Sequence, residues 1–252
     1  MTTDSLTASV AEFGDAVWRA TELVSSATAT VSSGHPELDC QLPGGGWPVG
    51  ALSEVLQAQS GQNEWRLLLP ALRRIGHGPV ALVGAPHMPF GPGLAAQGFE
   101  VQRLLSVCAT MPAERLWAAE QALRCAQVVA VLAWLPEVRA EQLRRLQIAA
   151  HEYRKLLFVL RPAQAQCESS PAVLRLLVGS APPGTMPHVD ALHVQMLKRR
   201  GPPLMQTLVL QARSARLGAL LALKENSVTS ARILQSHDVG GGDALDRRAA
   251  AA

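Results

Sequence analysis

An α/β fold is predicted, a mostly parallel twisted sheet flanked by helices with an antiparallel extension on the C-terminal side. Three observations predict it. Short apolar runs alternate with helical patterns along most of the chain. Several of those runs are continuous rather than alternating, which suits strands buried on both faces. Toward the end, strand-like segments follow one another without helices, as an antiparallel extension requires.

Residues 1–33 read as an N-terminal helical arm and linker, with Phe13, Val17 and Trp18 at helical spacing before a Ser/Thr/Ala-rich stretch. Residues 34–212 read as the core. Residues 213–252 read as a flexible tail in which Leu217 to Leu223 form a brief helical stretch before a Gly-Gly-Gly and an Ala-rich end. In the core, the strand candidates are Leu52 to Leu56, Val80 to Gly84, Leu104 to Val107, Val128 to Trp134, Leu156 to Leu160, Val173 to Val178, Ala191 to Leu197 and Thr207 to Leu210. Helical patterns lie between them. Glu64 to Ile75 carries Trp65, Leu68, Leu69 and Leu72 on one face, with Pro70 predicting a kink or a late start. Pro112 to Cys125 opens on a proline, and Pro136 to Tyr153 repeats Leu143, Leu146, Ala150 and Tyr153 against Arg139, Arg144 and Arg145.

Composition narrows the function. Apolar residues at 48% exclude general disorder, and a length of 252 residues suffices for a real core. Charged residues at 17% fall below the roughly 25% of an average soluble domain, which suggests surface covered by a partner. A net charge of +3 is too small to indicate nucleic-acid binding by itself. Cys40, Cys108, Cys125 and Cys167 are spread without a C-x-x-C pair and read as free thiols of a reducing cytosol. No signal peptide is apparent, and the longest apolar stretch is too short to span a bilayer, so a cytoplasmic protein is expected. The histidines lack zinc-ligand spacing, and no G-x-S-x-G elbow is present. Trp47, Trp65, Trp117 and Trp134 sit in apolar context and read as core or half-buried contacts.

Ser53 to Arg66 has the layout of a phosphate-binding loop, with a buried strand, a small polar loop and a helix start. Such a loop needs G-x-x-x-x-G-K-[ST], so that backbone N–H groups cradle phosphates, the lysine reaches the terminal phosphates and the hydroxyl holds magnesium. Here Gly61 survives alone. In one register Gln62 and Asn63 replace Lys and Ser/Thr; in the next, Asn63 and Glu64 do. Both lose the cation, and Glu64 would repel phosphate.

The run Gly34 to Asp39, with Leu42-Pro43-Gly44-Gly45-Gly46-Trp47-Pro48-Val49-Gly50, resembles the start of a RecA-like core. Within that superfamily the chain resembles the ImuA family, through Asp15-Ala16-Val17-Trp18-Arg19, the glycine turn, Ala133-Trp134-Leu135-Pro136 and Leu197-Lys198-Arg199-Arg200-Gly201. The resemblance implies an accessory role in SOS mutagenesis beside an ImuB-type inactive Y-family polymerase homologue, RecA and an error-prone C-family DNA polymerase, with DNA contact through the complex and association with the nucleoid after damage. A weaker resemblance to the cell-division inhibitor SulA keeps that function as an alternative, as is a RecA paralogue that binds nucleotide without hydrolysing it.

Against the RecA pattern, Ala133 stands where the Walker B strand should end in a metal-organising acid, and Pro86 where the catalytic acid should be. With the lysine also missing, no hydrolysis and no cofactor are expected. Lys198 and Arg200 match two lysines that in RecA reach a neighbouring subunit's nucleotide. Lys198, Arg199 and Arg200 are therefore candidate contacts for a partner or for DNA phosphates, with a solvated strand end as the plain alternative. Arg161 replaces the family's sensor glutamine and joins them, and Trp18 and Arg19 are candidates for docking. The loop Ala163 to Ser170 is shorter than RecA's DNA loop, and Arg139, Arg144 and Arg145 read as the wet side of a helix.

Overall fold

The computed structural model describes residues 29–180 and 191–211. The predicted arm up to residue 28, with Trp18 and Arg19, lies outside these residues, as do the predicted tail and its short helix.

In chain order the elements are β1 (Thr30–Val31), α1 (Pro36–Asp39), β2 (Trp47–Pro48), β3 (Ala51–Gln57), α2 (Glu64–Leu72), β4 (Val80–Val83), α3 (Gly91–Ala96), β5 (Leu104–Val107), α4 (Pro112–Arg124), β6 (Ala130–Trp134), α5 (Ala140–Tyr153), β7 (Leu156–Pro162), β8 (Leu174–Ser180), β9 (Ala191–Lys198) and β10 (Leu208–Gln211). Among the described residues they build an eight-stranded sheet in the order β10-β9-β8-β3-β7-β6-β4-β5, with β1 and β2 paired separately. Strands β8, β3, β7, β6, β4 and β5 run parallel, and β9 and β10 extend the sheet antiparallel. The predicted architecture is therefore present.

The continuous apolar runs have the anticipated cause. Every residue of β3, β4 and β6 is buried, because helices cover both faces of the sheet. Odd and even positions serve different layers. Val55, Leu82, Leu132 and Phe158 pack with Leu67, Leu68 and Leu72 of α2, while Leu52, Val83, Val131 and Val159 pack with Ala119 and Leu123 of α4 and Leu143 and Leu146 of α5. Each fully buried leucine contributes about 1.5–3 kcal/mol relative to exposure. Trp47 meets Phe158 edge to face at 5.1 Å and anchors the glycine turn to the first layer.

Some boundaries differ from expectation. Helix α2 ends at Leu72 rather than Ile75, with Pro70 in its last turn, and α5 starts at Ala140 because Pro136 precedes a turn. The pairing of Thr30–Val31 with Trp47–Pro48 lies ahead of residue 34, where the core was expected to begin. Trp117 does not join the core as expected. It is 65% exposed, because α4 turns Ala118, Ala119 and Leu123 inward.

The sheet order places the loop. After β3 the chain goes to one side for β4 through β7, then returns to β3's other side for β8. Ligand crevices of open α/β sheets form at the C-terminal ends of strands around such a switch. The segment 58–63 leaves β3 at that end.

Candidate functional site

The loop closes on its own carboxylate. Glu64, the first residue of α2, is fully buried, and its Oε1 accepts the backbone N–H of Gly61 at 2.6 Å, the side-chain amide of Gln57 at 2.5 Å and the indole N–H of Trp134 at 3.0 Å. An anion at a helix start, met by loop N–H groups, is the arrangement in which such loops hold phosphate. Here the anion is supplied by the chain. The other oxygen, Oε2, has no hydrogen-bond partner. Gln62 is exposed and donates to Gln59 Oε1 at 2.6 Å, so it faces away from the cradle. Asn63 is buried at the start of α2, where its Oδ1 accepts the Ser180 hydroxyl at 3.4 Å across to β8. Gly61 adopts φ +92°, and a Cβ there would stand 2.7 Å from the Cδ2 of His87. The backbone favours glycine here, and the exposed imidazole of His87 would have to shift to admit a Cβ.

The predicted metal-organising position falls elsewhere. Ala133 faces the α4/α5 layer, fully buried, and the residue of β6 that faces the loop is Trp134. Trp134 brings a donor where a metal site needs an acceptor. That contact has a sequence signal, since alternate residues of a strand face opposite sides, but the aromatic was read as packing alone. Pro86 is exposed in the β4–α3 connection. It lines a cavity of about 370 Å³ beside the loop, together with Ser60, Trp134, Pro136 and Pro162. The cation lining it, Arg115, donates to the carbonyl of Ala109 at 2.9 Å.

Arg161 is corrected from an expected partner or DNA contact to a buried structural group. It is 2% exposed; its Nη1 donates to Glu54 Oε1 at 2.8 Å and its Nη2 to Glu168 Oε2 at 2.6 Å. Arg175, opposite Glu54 across the β3–β8 ladder, donates from Nε to Glu54 Oε2 at 2.5 Å. Burial acts to lower the pKa of Arg161, and the hydrogen bonds to Glu54 and Glu168 outweigh it, so the pKa is raised. Glu54 is fully buried within β3, and the arginines it serves lie on neighbouring strands far along the chain, so no local pattern marks it.

The basic run lies at the opposite end of the sheet from Gly61. Lys198 closes β9 and donates to the Ser170 carbonyl at 3.0 Å; Arg199 donates to the carbonyls of Gln41 at 2.6 Å and Pro202 at 2.8 Å. Arg200 is exposed, and with Arg199 it lines a cavity of about 490 Å³ floored by the glycine turn. On α5, Arg145 pairs with Glu120 of α4 at 2.7 Å, while Arg144 and the preceding Arg139 are exposed. The four cysteines are free and exposed. Among the described residues no His/Cys/Asp/Glu group could hold a metal, and no helix is long and apolar enough to cross a membrane.

The fold and site together define an α/β protein with a mostly parallel sheet whose strand-to-helix loop after β3 is closed on its own glutamate. The chain is related to the ImuA and SulA proteins. It is 34% identical over 166 residues to Protein ImuA from each of two Caulobacter vibrioides strains, covering 61% of this chain and 66% of theirs. It is 31% identical over 102 residues to the cell division inhibitor SulA of Edwardsiella piscicida, covering 40% of this chain and 61% of that one. The chain thus spans just under two thirds of the length of each relative. No protein-family model matches it.

Proposed function

We propose that this chain is a non-catalytic RecA-like accessory protein of an SOS-induced mutagenic translesion DNA synthesis complex. It acts through contacts with an ImuB-type inactive Y-family polymerase homologue, RecA and an error-prone C-family DNA polymerase, and meets DNA through that complex. Kinship to ImuA supports the setting. The observation that carries the non-catalytic part is Glu64. A carboxylate already accepting the Gly61 N–H occupies the place of a phosphate and would repel one, with no lysine in the loop to offset it. The loop then serves as a joint between β3 and α2, and the working surfaces lie elsewhere.

The test is purification from DNA-damaged cells beside a Mg-ATP titration of the purified chain. The expected result is recovery of the polymerase homologue without nucleotide, and a melting temperature indifferent to ATP. A ligand at one hundred times its Kd stabilises the folded state by about 2.7 kcal/mol, so a saturable upward shift would overturn the reading in favour of a nucleotide-binding, non-hydrolysing paralogue. The SulA relative carries a second reading, a cell-division inhibitor. Saturable binding to the tubulin-like division protein, with no recovery of the polymerase homologue, would favour it.

A further inference from the structure

We propose that the cavity at the starts of β3 and β8 is a receptor for an acidic, apolar-centred segment of a partner protein. This deepens the adaptor reading and rests on it. The cavity, of about 490 Å³, falls in the range of ligand-sized clefts and lies away from the degenerate loop. Leu42, Pro48, Val49 and Val173 give it an apolar floor. Its titratable lining is Arg154, Arg199, Arg200, His151 and Glu152, three guanidiniums against one carboxylate.

The three arginines are not equivalent. Arg199 is committed to the carbonyls of Gln41 and Pro202 and forms a fixed wall. Arg154 and Arg200 are exposed, and no hydrogen bond or ion pair holds either side chain among the described residues. Each is therefore available to a carboxylate from outside, in the bidentate geometry guanidinium favours.

The backbone under this rim is built, not incidental. Gly50 takes φ +75° and donates its N–H to the Lys155 carbonyl at 2.9 Å, and a Cβ there would stand 3.5 Å from the His151 Cα, so the glycine turn packs in van der Waals contact with the end of α5. Arg154 has φ 50°, and among the described residues it is the non-glycine in the left-handed region. Glycine or asparagine adopts that conformation more cheaply, so a strained arginine at a cavity rim points to a task for its side chain. A concave, half-apolar site with Glu152 in its lining suits a peptide; a nucleic-acid backbone calls for an extended basic stripe.

The experiment is selection of a randomised displayed peptide library on the full chain, with R154E/R200E as counter-target and fluorescence anisotropy of the enriched peptides. Sequences rich in Asp and Glu around Leu or Phe should emerge, and their affinity should fall roughly tenfold or more in the variant, the scale of losing two charge-assisted contacts. R139E/R144E, at exposed positions in and just before the first turns of α5 and outside the cavity lining, should bind like the unmodified chain. Arg154→Gly should raise the melting temperature by relieving the backbone while weakening the peptide, opposite movements that a merely structural arginine would not give. No enrichment, equal binding to R154E/R200E, or tighter capture of a single-stranded oligonucleotide through the same two residues would overturn the inference. If R154E/R200E still recovers the polymerase homologue from damaged cells, the cavity assignment alone fails; if the unmodified chain recovers no partner, the adaptor reading fails with it.

Discussion

Gly61 and Glu64 are joined across three residues by a 2.6 Å hydrogen bond from the glycine N–H to the glutamate Oε1, and the same oxygen collects the Gln57 amide and the Trp134 indole. Removing the carboxylate leaves three donors without their acceptor, two of them buried. Glu64→Ala should therefore cost about 2–4 kcal/mol, since each buried unsatisfied group costs about 1–3 kcal/mol and some will find water. Urea unfolding measures it, and a loss below about 0.5 kcal/mol, the range of an ordinary surface change, would count against the arrangement. In the companion variant N63K/E64T, which restores a cation and a hydroxyl, Mg-ATP should produce a thermal shift absent from the parent.

Gly61→Ala should destabilise by about 1–2 kcal/mol, through a left-handed backbone and a methyl driven against His87. Adding His87→Ala should recover part of that loss. A double-mutant cycle reads the coupling, and strict additivity would show that the imidazole does not crowd the glycine.

Glu54 holds two arginines in the interior of the sheet. Glu54→Ala leaves Arg175 without its carboxylate and Arg161 with Glu168 alone, and should cost about 3–5 kcal/mol, whereas the triple change E54L/R161L/R175L should cost far less, because a buried ionic group roughly balances well-packed apolar side chains. Denaturant midpoints of the two variants distinguish the cases. If the triple variant proves as damaged as Glu54→Ala, the cluster contributes more than mutual compensation.

His35 carries a pH dependence. Burial lowers its pKa from 6.5, outweighing the opposing pull of the Leu67 and Arg66 backbone and of Glu37 and Asp39. The unfolded chain then binds a proton at a pH where the folded chain does not, so this contribution is intact above about pH 6.5 and shrinks as pH falls below it. Stability measured from pH 7.5 down to 5 should decline more steeply for the parent than for His35→Gln. Parallel curves would assign the acid loss to other groups.

The sheet was legible because its strands announce themselves twice, in continuous apolar runs and in the turn residues between them; all eight strands of the main sheet fall within a few residues of their expected bounds. Strands β1 and β2 were not, since two residues carry no period. At the loop, the absence of a lysine is legible in the sequence, but the partners of Glu64 are not. Glu64 looked like a charge against phosphate because its partners, Gln57 and Trp134, come from other elements, and Trp134 is seventy residues away in the chain. Arg161 looked like a surface cation for the same reason, since Glu54 lies 107 residues before it on a neighbouring strand. Charge alone does not say which way a side chain points; the parity of the strand does, once a partner on the same face is known.

On the function proposed above, a loop closed on its own glutamate offers the ratio of ATP to ADP no seat through which to change its shape. The fold holding Gly61 and Glu64 together would stand alike in a starved cell and a growing one. Control over such a protein would then fall to how many copies are made and how fast they are destroyed, an adjustment in abundance.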